Sequence, residues 1–148
     1  MLCDDIVPIG IDGYVVPGVP IPRLYRDSFE QVTGGAPDGL LSDGMDKFQA
    51  DLPAAEASAR VLPRGAFLLE PCETAGFASE RMSGGQKIRM LTAHVQTLDG
   101  IDDKATVMHR LTQAFAKVPV FRIRRPQEGF RIEELLDLIE SEWRGQIR

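Results

Sequence analysis

Val118-Pro119-Val120-Phe121-Arg122-Ile123-Arg124-Arg125-Pro126 is the stretch on which the fold turns. Strand alternation puts Phe121 and Ile123 on one face and Arg122 and Arg124 on the other. Segments of helical spacing lie on both sides of it. Upstream, Val107, Leu111, Ala114, Phe115 and Val118 share one face of a helix that Asp102 or Asp103 can cap. Downstream, a last helix turns Ile132, Leu135, Leu136, Ile139 and Trp143 inward and Glu133, Glu134, Asp137 and Glu140 outward.

Further upstream, Ser83-Gly84-Gly85-Gln86 has the spacing of a capping box. Ile88, Leu91, Val95 and Leu98 recur at helical spacing after it, and Gly100 follows the end. Arg64–Glu70 reads as a strand around the apolar run Ala66-Phe67-Leu68-Leu69, which ends at Pro71 as a buried strand does. Lys47–Ala50 reads as a short strand, Thr33–Asp46 as a glycine-rich loop and Asp27–Val32 as one short helix. Pro17, Pro20 and Pro22 make the stretch from Val16 to Leu24 irregular or a sheet edge. Asp12-Gly13 is a turn signal between Ile6–Ile11 and Tyr14–Val16, which predicts a hairpin. Strands first, then helices with one interposed strand, indicate a mixed α/β fold, with residues 1–148 read as one domain.

The composition sets the outer bounds. With 148 residues, 43% hydrophobic and 26% charged, the chain has an ordinary globular balance. No apolar run approaches the roughly 18 residues of a bilayer span, and no basic region precedes an apolar stretch at Met1. Cys3 and Cys72 form neither a disulfide framework nor a zinc set, so a reducing cytoplasm is expected. The net charge of −5 is unevenly spread: residues 1–58 hold ten Asp/Glu against three Lys/Arg, and residues 59–148 twelve against fourteen. Such an acidic chain lacks the concentrated basic field that duplex binding needs, so neither nucleic acid nor membrane is an expected partner.

Several residue sets have the chemistry of a site. Asp4-Asp5, at the end of an apolar run, offers hard oxygen ligands of the kind Mg²⁺ prefers. Arg122, Arg124 and Arg125 supply guanidinium groups suited to bidentate contact with phosphate or carboxylate. Arg23 and Arg26, beside Tyr25, form a smaller basic patch. Ser83-Gly84-Gly85-Gln86-Lys87 matches the core of the ABC-transporter signature, but no window reads Gly-x-x-x-x-Gly-Lys-Ser/Thr, and the capping box already accounts for Ser83 and Gln86. His94 and His109 sit at the edge or outside of their helices' apolar faces and are expected at the surface. No serine lies in a Gly-x-Ser-x-Gly elbow.

Taken in order, these segments resemble the HPr serine kinase/phosphorylase-like family. Leu2-Cys3-Asp4-Asp5-Ile6-Val7-Pro8-Ile9, Asp12-Gly13 and Val16-Pro17-Gly18-Val19-Pro20 resemble the segment that follows its phosphate-binding loop. Arg64-Gly65-Ala66-Phe67-Leu68-Leu69-Glu70 is similar to its next core strand. Met82-Ser83-Gly84-Gly85-Gln86 stands where short relatives start a helix with Leu-Ser-Gly, and Val118–Pro126 is similar to the strand before their terminal helix.

The resemblance implies a P-loop kinase-like α/β fold that moves phosphate from ATP to a serine of a carrier protein or peptide. Some family members also reverse that modification. Asp4 and Asp5 match the family's acidic pair: one would orient Mg²⁺, the other would take the acceptor's proton. Arg122 and Arg124 would make secondary contacts near phosphate, and a second copy of the chain is a further partner. The family's strand–P-loop–helix lies upstream of the acidic pair, where only Met1-Leu2-Cys3 stands here. That loop supplies the amide cradle and lysine for the β- and γ-phosphates. The expectation is therefore a truncated kinase domain, inactive as written and not itself binding ATP and Mg²⁺, or else a noncatalytic protein- or peptide-binding module on the same fold.

Overall fold

The computed structural model describes residues 6–10, 12–18, 21–37, 46–50, 61–96, 103–129 and 131–145. Among them the chain forms a mixed α/β structure of five strands in two sheets and four helices, in two compact units. One unit comprises Met1–Gly10 and Tyr14–Val61, the other Ile11–Gly13 and Leu62–Arg148.

In the first unit, the expected hairpin is reduced to a bridge between Ile9 and Val15. Gly10 N donates to Tyr14 O at 2.9 Å and Val16 N to Pro8 O at 2.9 Å. Gly13, which belongs to the second unit, has φ of 79°, a left-handed conformation that favours glycine. Strand β1, Arg23–Tyr25, pairs antiparallel with β2, Lys47–Gln49, with Leu24 opposite Phe48. Between them runs helix α1, Arg26–Thr33, which matches the helix read at Asp27–Val32. It stops at Gly34, whose φ of 73° lets its N–H turn back to Glu30 O. Phe48 and Ala50 are buried, and Phe29 meets the Phe48 ring edge-on at 6.2 Å.

The second unit is built on a three-stranded sheet: β3 (Ala66–Cys72), β4 (Ala78–Met82) and β5 (Val120–Pro126). The order is β3-β5-β4, with β3 parallel and β4 antiparallel to the central β5. Alternation in β5 is as read from the sequence. Phe121 and Ile123 are buried at 2% and 0% exposure, whereas Arg122 and Arg124 reach solvent. Phe67 of β3 stacks on Phe121 with centroids 5.2 Å apart and planes at 9°.

Two features of this sheet depart from the sequence reading. Ala66–Leu69 lies on an edge strand among the described residues, so Leu69 is 47% exposed and the strand runs on through Pro71 to Cys72. An edge tolerates proline, because one side of the strand has no ladder partner needing its N–H. Ala78–Met82 carries Ser, Glu and Arg and has no apolar alternation, so its strand is not visible in the sequence. Pairing with β5 makes it one.

The helices follow their periodicity with shifted ends. Helix α2, Gly84–Ala93, buries Leu91 but closes at His94, short of Val95. Ser83 has N-cap backbone geometry, yet its side chain accepts no hydrogen bond, so the expected capping box does not form. Helix α3, Lys104–Phe115, does have a side-chain cap: Asp103 accepts from Thr106 N and Thr106 Oγ1, each at 2.8 Å. Helix α4, Ile132–Gly145, buries Leu135 and half-buries Ile139 and Trp143. Its Ile132 and Leu136, read as inward, are 39% and 47% exposed, because the buried stripe is narrower than the apolar one. A Cβ on Gly65 would lie 3.3 Å from the Trp143 ring, so the side chain's absence permits that close approach. No described helix is long and apolar enough to cross a membrane.

Lys87 of α2 ties the end of α3 to the start of β5. Its ammonium donates to the carbonyl oxygens of Phe115 at 2.5 Å, Val118 at 2.7 Å and Ala116 at 3.5 Å. They lie at the last residue of α3, at its C-cap and in the joint to β5, where helical hydrogen bonding has ended. Lys87→Met should lower stability by about 1.5–3 kcal/mol, the cost of losing a charged donor to part-buried acceptors. Phe121→Ala should cost about 3–5 kcal/mol through the lost ring and its cavity. Urea unfolding followed by Trp143 fluorescence measures both, and a loss below about 1 kcal/mol in either variant contradicts its assigned role.

Candidate functional site

The exposed face of β5 brings four charged side chains together. Register places Glu80 of β4 opposite Arg122 and Glu70 of β3 opposite Arg124. Arg122 Nη2 donates to Glu80 Oε2, and Arg124 Nη2 lies 3.7 Å from the same oxygen. Arg122 Nη1 lies 3.8 Å from Glu70 Oε2. Two guanidinium groups thus share one carboxylate, with a second carboxylate at the margin, and the quartet is formally neutral. The hydrogen bond from Arg122 and the charges of both arginines hold the Glu80 carboxyl below its ordinary value, and Glu80 in turn raises Arg122.

This arrangement shows where the expected phosphate contacts stand. Arg122 and Arg124 do face the same way, side by side on the strand. Their donors are directed at Glu80 and Glu70, so an incoming phosphate would compete with those carboxylates for the same guanidinium groups. Arg125 leaves the cluster: alternation turns it from that face, and its Nη1 donates to Pro126 O at 3.2 Å. The Nε of Arg122 is buried and has no hydrogen-bond partner among the described residues. Glu70 and Glu80 are the members that sequence reasoning missed. Glu80 sits on the strand that carries no apolar alternation, and Glu70 gains its place only from the parallel register with β5.

Asp4 and Asp5 lie outside the described residues. Among the described residues no group of three or more His, Cys, Asp or Glu side chains is placed to hold a metal ion. His94 and His109 are exposed, as expected, and Cys72 is a free thiol 3.4 Å from Thr74 Oγ1. Of the smaller basic patch, in the first unit, Arg26 lies 4.8 Å over the Phe48 ring, and the Tyr25 ring beside it is met by Lys47 Nζ, from outside the patch, at 5.3 Å. Comparison of the chain with protein-family models, with curated proteins and with solved structures finds no match.

The lowered Glu80 value fixes the sign of one pH dependence. A carboxylate whose folded value lies below its unfolded one stabilises the fold above the unfolded value, here 4.5, and loses that contribution as pH falls through the folded value. The stability gap between the native chain and Glu80→Gln should therefore be present at neutral pH and close as the solution is acidified below 4.5. Urea midpoints measured across that range test it. A gap that stays constant, or widens with acid, rules out the Glu80–arginine interaction as its source.

Proposed function

We propose that this chain carries the acidic pair and the following part of an ATP-dependent serine kinase of the HPr kinase/phosphorylase type, working in the cytoplasm on a carrier protein or peptide. The observation that carries this reading is the order of its segments: Asp4-Asp5 first, then Arg64–Glu70, then Val118–Pro126 with two arginines side by side. Mixed α/β architecture around β5 agrees with it at the level of fold class. In this reading Asp4 and Asp5 divide two tasks, one orienting Mg²⁺ and the other accepting the serine proton. Arg122 and Arg124 stand near the transferred phosphate and are released to it from Glu80. ATP needs in addition a Gly-x-x-x-x-Gly-Lys-Ser/Thr loop, which no window of this sequence contains.

A second reading, a noncatalytic protein- or peptide-binding module on the same fold, is favoured by one observation. The arginines already satisfy Glu70 and Glu80, giving a face of paired charges suited to a complementary protein surface.

Transfer of the γ-phosphate of Mg-ATP to a serine-bearing acceptor separates the two. The chain as it stands should bind Mg-ATP weakly and transfer no phosphate. A longer form carrying the phosphate-binding loop ahead of Asp4 should transfer it. In that form Asp4→Asn and Asp5→Asn should each lower the rate by about 10²–10⁴-fold while leaving the fold intact. Retained transfer in both variants overturns the roles given to the pair. Tight Mg-ATP binding by the present chain overturns the argument from the loop.

A further inference from the structure

The second unit has a cavity of about 680 Å³ where the end of β4, the start of α2 and the joint between α3 and β5 meet. Three cationic side chains from those three places line it: Arg81, Lys87 and Lys117. No Asp or Glu is among its described lining residues. Lys87 is held in place by its three carbonyl acceptors. Arg81 and Lys117 are exposed, and neither forms an ion pair or side-chain hydrogen bond among the described residues. Burial and the like charge of Arg81 both push the Lys87 ammonium below the ordinary lysine value, so the wall repels itself. An anion relieves that repulsion.

The rest of the wall narrows the ligand class. Met82, Phe115 and Val118 are buried residues that give the cavity an apolar floor. Its volume lies within the ~300–1,000 Å³ typical of sites for small organic molecules, well above what a bare oxyanion fills. Two exposed cations beside a third, Lys87, on one wall suit the doubly charged, multi-acceptor phosphate better than a single carboxylate. At the wall, a Cβ added to Gly84 would meet nothing within 4 Å, and the same holds for Gly85 next to it, so the backbone there stays open to a ligand.

We propose that this cavity binds a small molecule bearing a phosphate group, with the phosphate between Arg81 and Lys117 and the apolar part on Met82, Phe115 and Val118. The inference is independent of the kinase reading, since it uses neither Asp4 nor Asp5 and needs no Mg²⁺. Titration of the full chain with phenyl phosphate, inorganic phosphate and phenol, without metal or ATP, tests it by amide NMR.

Phenyl phosphate should give saturable shifts at Gly84, Gly85 and Lys117 and bind more tightly than either probe that carries only half of its chemistry. Replacing both exposed cations, Arg81→Ala with Lys117→Ala, should weaken it by about tenfold or more, the usual scale for losing charge-assisted hydrogen bonds. Lys117→Glu alone is the check should the double variant perturb the fold, and it should weaken binding similarly. Arg144→Ala, an exposed cation on α4, should change nothing. Absence of saturable shifts, or shifts indifferent to the Arg81 and Lys117 changes, overturns the proposal. Inorganic phosphate binding as tightly as phenyl phosphate overturns the part assigned to the apolar floor. Failure of phosphoryl transfer would leave these outcomes untouched.

Discussion

The second unit depends on one strand having two incompatible faces. Phe121 and Ile123 are almost wholly out of water, while Arg122 and Arg124, their immediate neighbours, remain charged and reach it. Burying a guanidinium without a partner is costly, so β5 can take one side-chain orientation only. A slip of one residue would exchange the two sets. The register with β3 and β4 inherits that choice, and with it the positions of Phe67 beneath the Phe121 ring and of Glu80 beside Arg122.

Electrostatics then divides the unit into two regions of different character. On the sheet face, carboxylates from both neighbouring strands answer the two arginines, and the result is a solvated network with little net charge. At the end of β4 and the start of α2, the cations Arg81, Lys87 and Lys117 have no such answer among the described residues. Lys87 alone is committed, and it is committed to backbone oxygens that neutralise no charge. A ligand anion must displace a carboxylate at the first region, whereas at the second it fills an unmet requirement. The arginine pair is easier to notice in the sequence, but the scattered cations offer the less contested site.

Local signals in the chain were largely sufficient for its local structure. Asp103 caps α3 through Thr106, the α4 acidic residues face outward, and Gly13 and Gly34 take positive φ at turns. Signals failed where one side chain had two possible uses. Ser83 has the capping-box spacing with Gln86, but the start of α2 does not use its hydroxyl. Ile132 and Leu136 share the apolar stripe of α4, but the surface that the helix covers is too narrow for them. Ala66–Leu69 reads as a buried strand because apolar content reports affinity for a core, not a place in the sheet.

By itself the sequence determined the alternation of β5, the existence of the four helices, the Asp103 cap and the Gly13 turn, and the pairing of Arg122 with Arg124 on one face. Each follows from a backbone period or a short-range hydrogen bond. Tertiary structure alone decided that Ala78–Met82 is a strand, that Glu80 and Glu70 meet the arginines, and that Lys87 closes the end of α3 across nearly thirty residues of chain. Those outcomes depend on strand register and on which elements lie side by side, and neither is encoded in the spacing of residues along the chain.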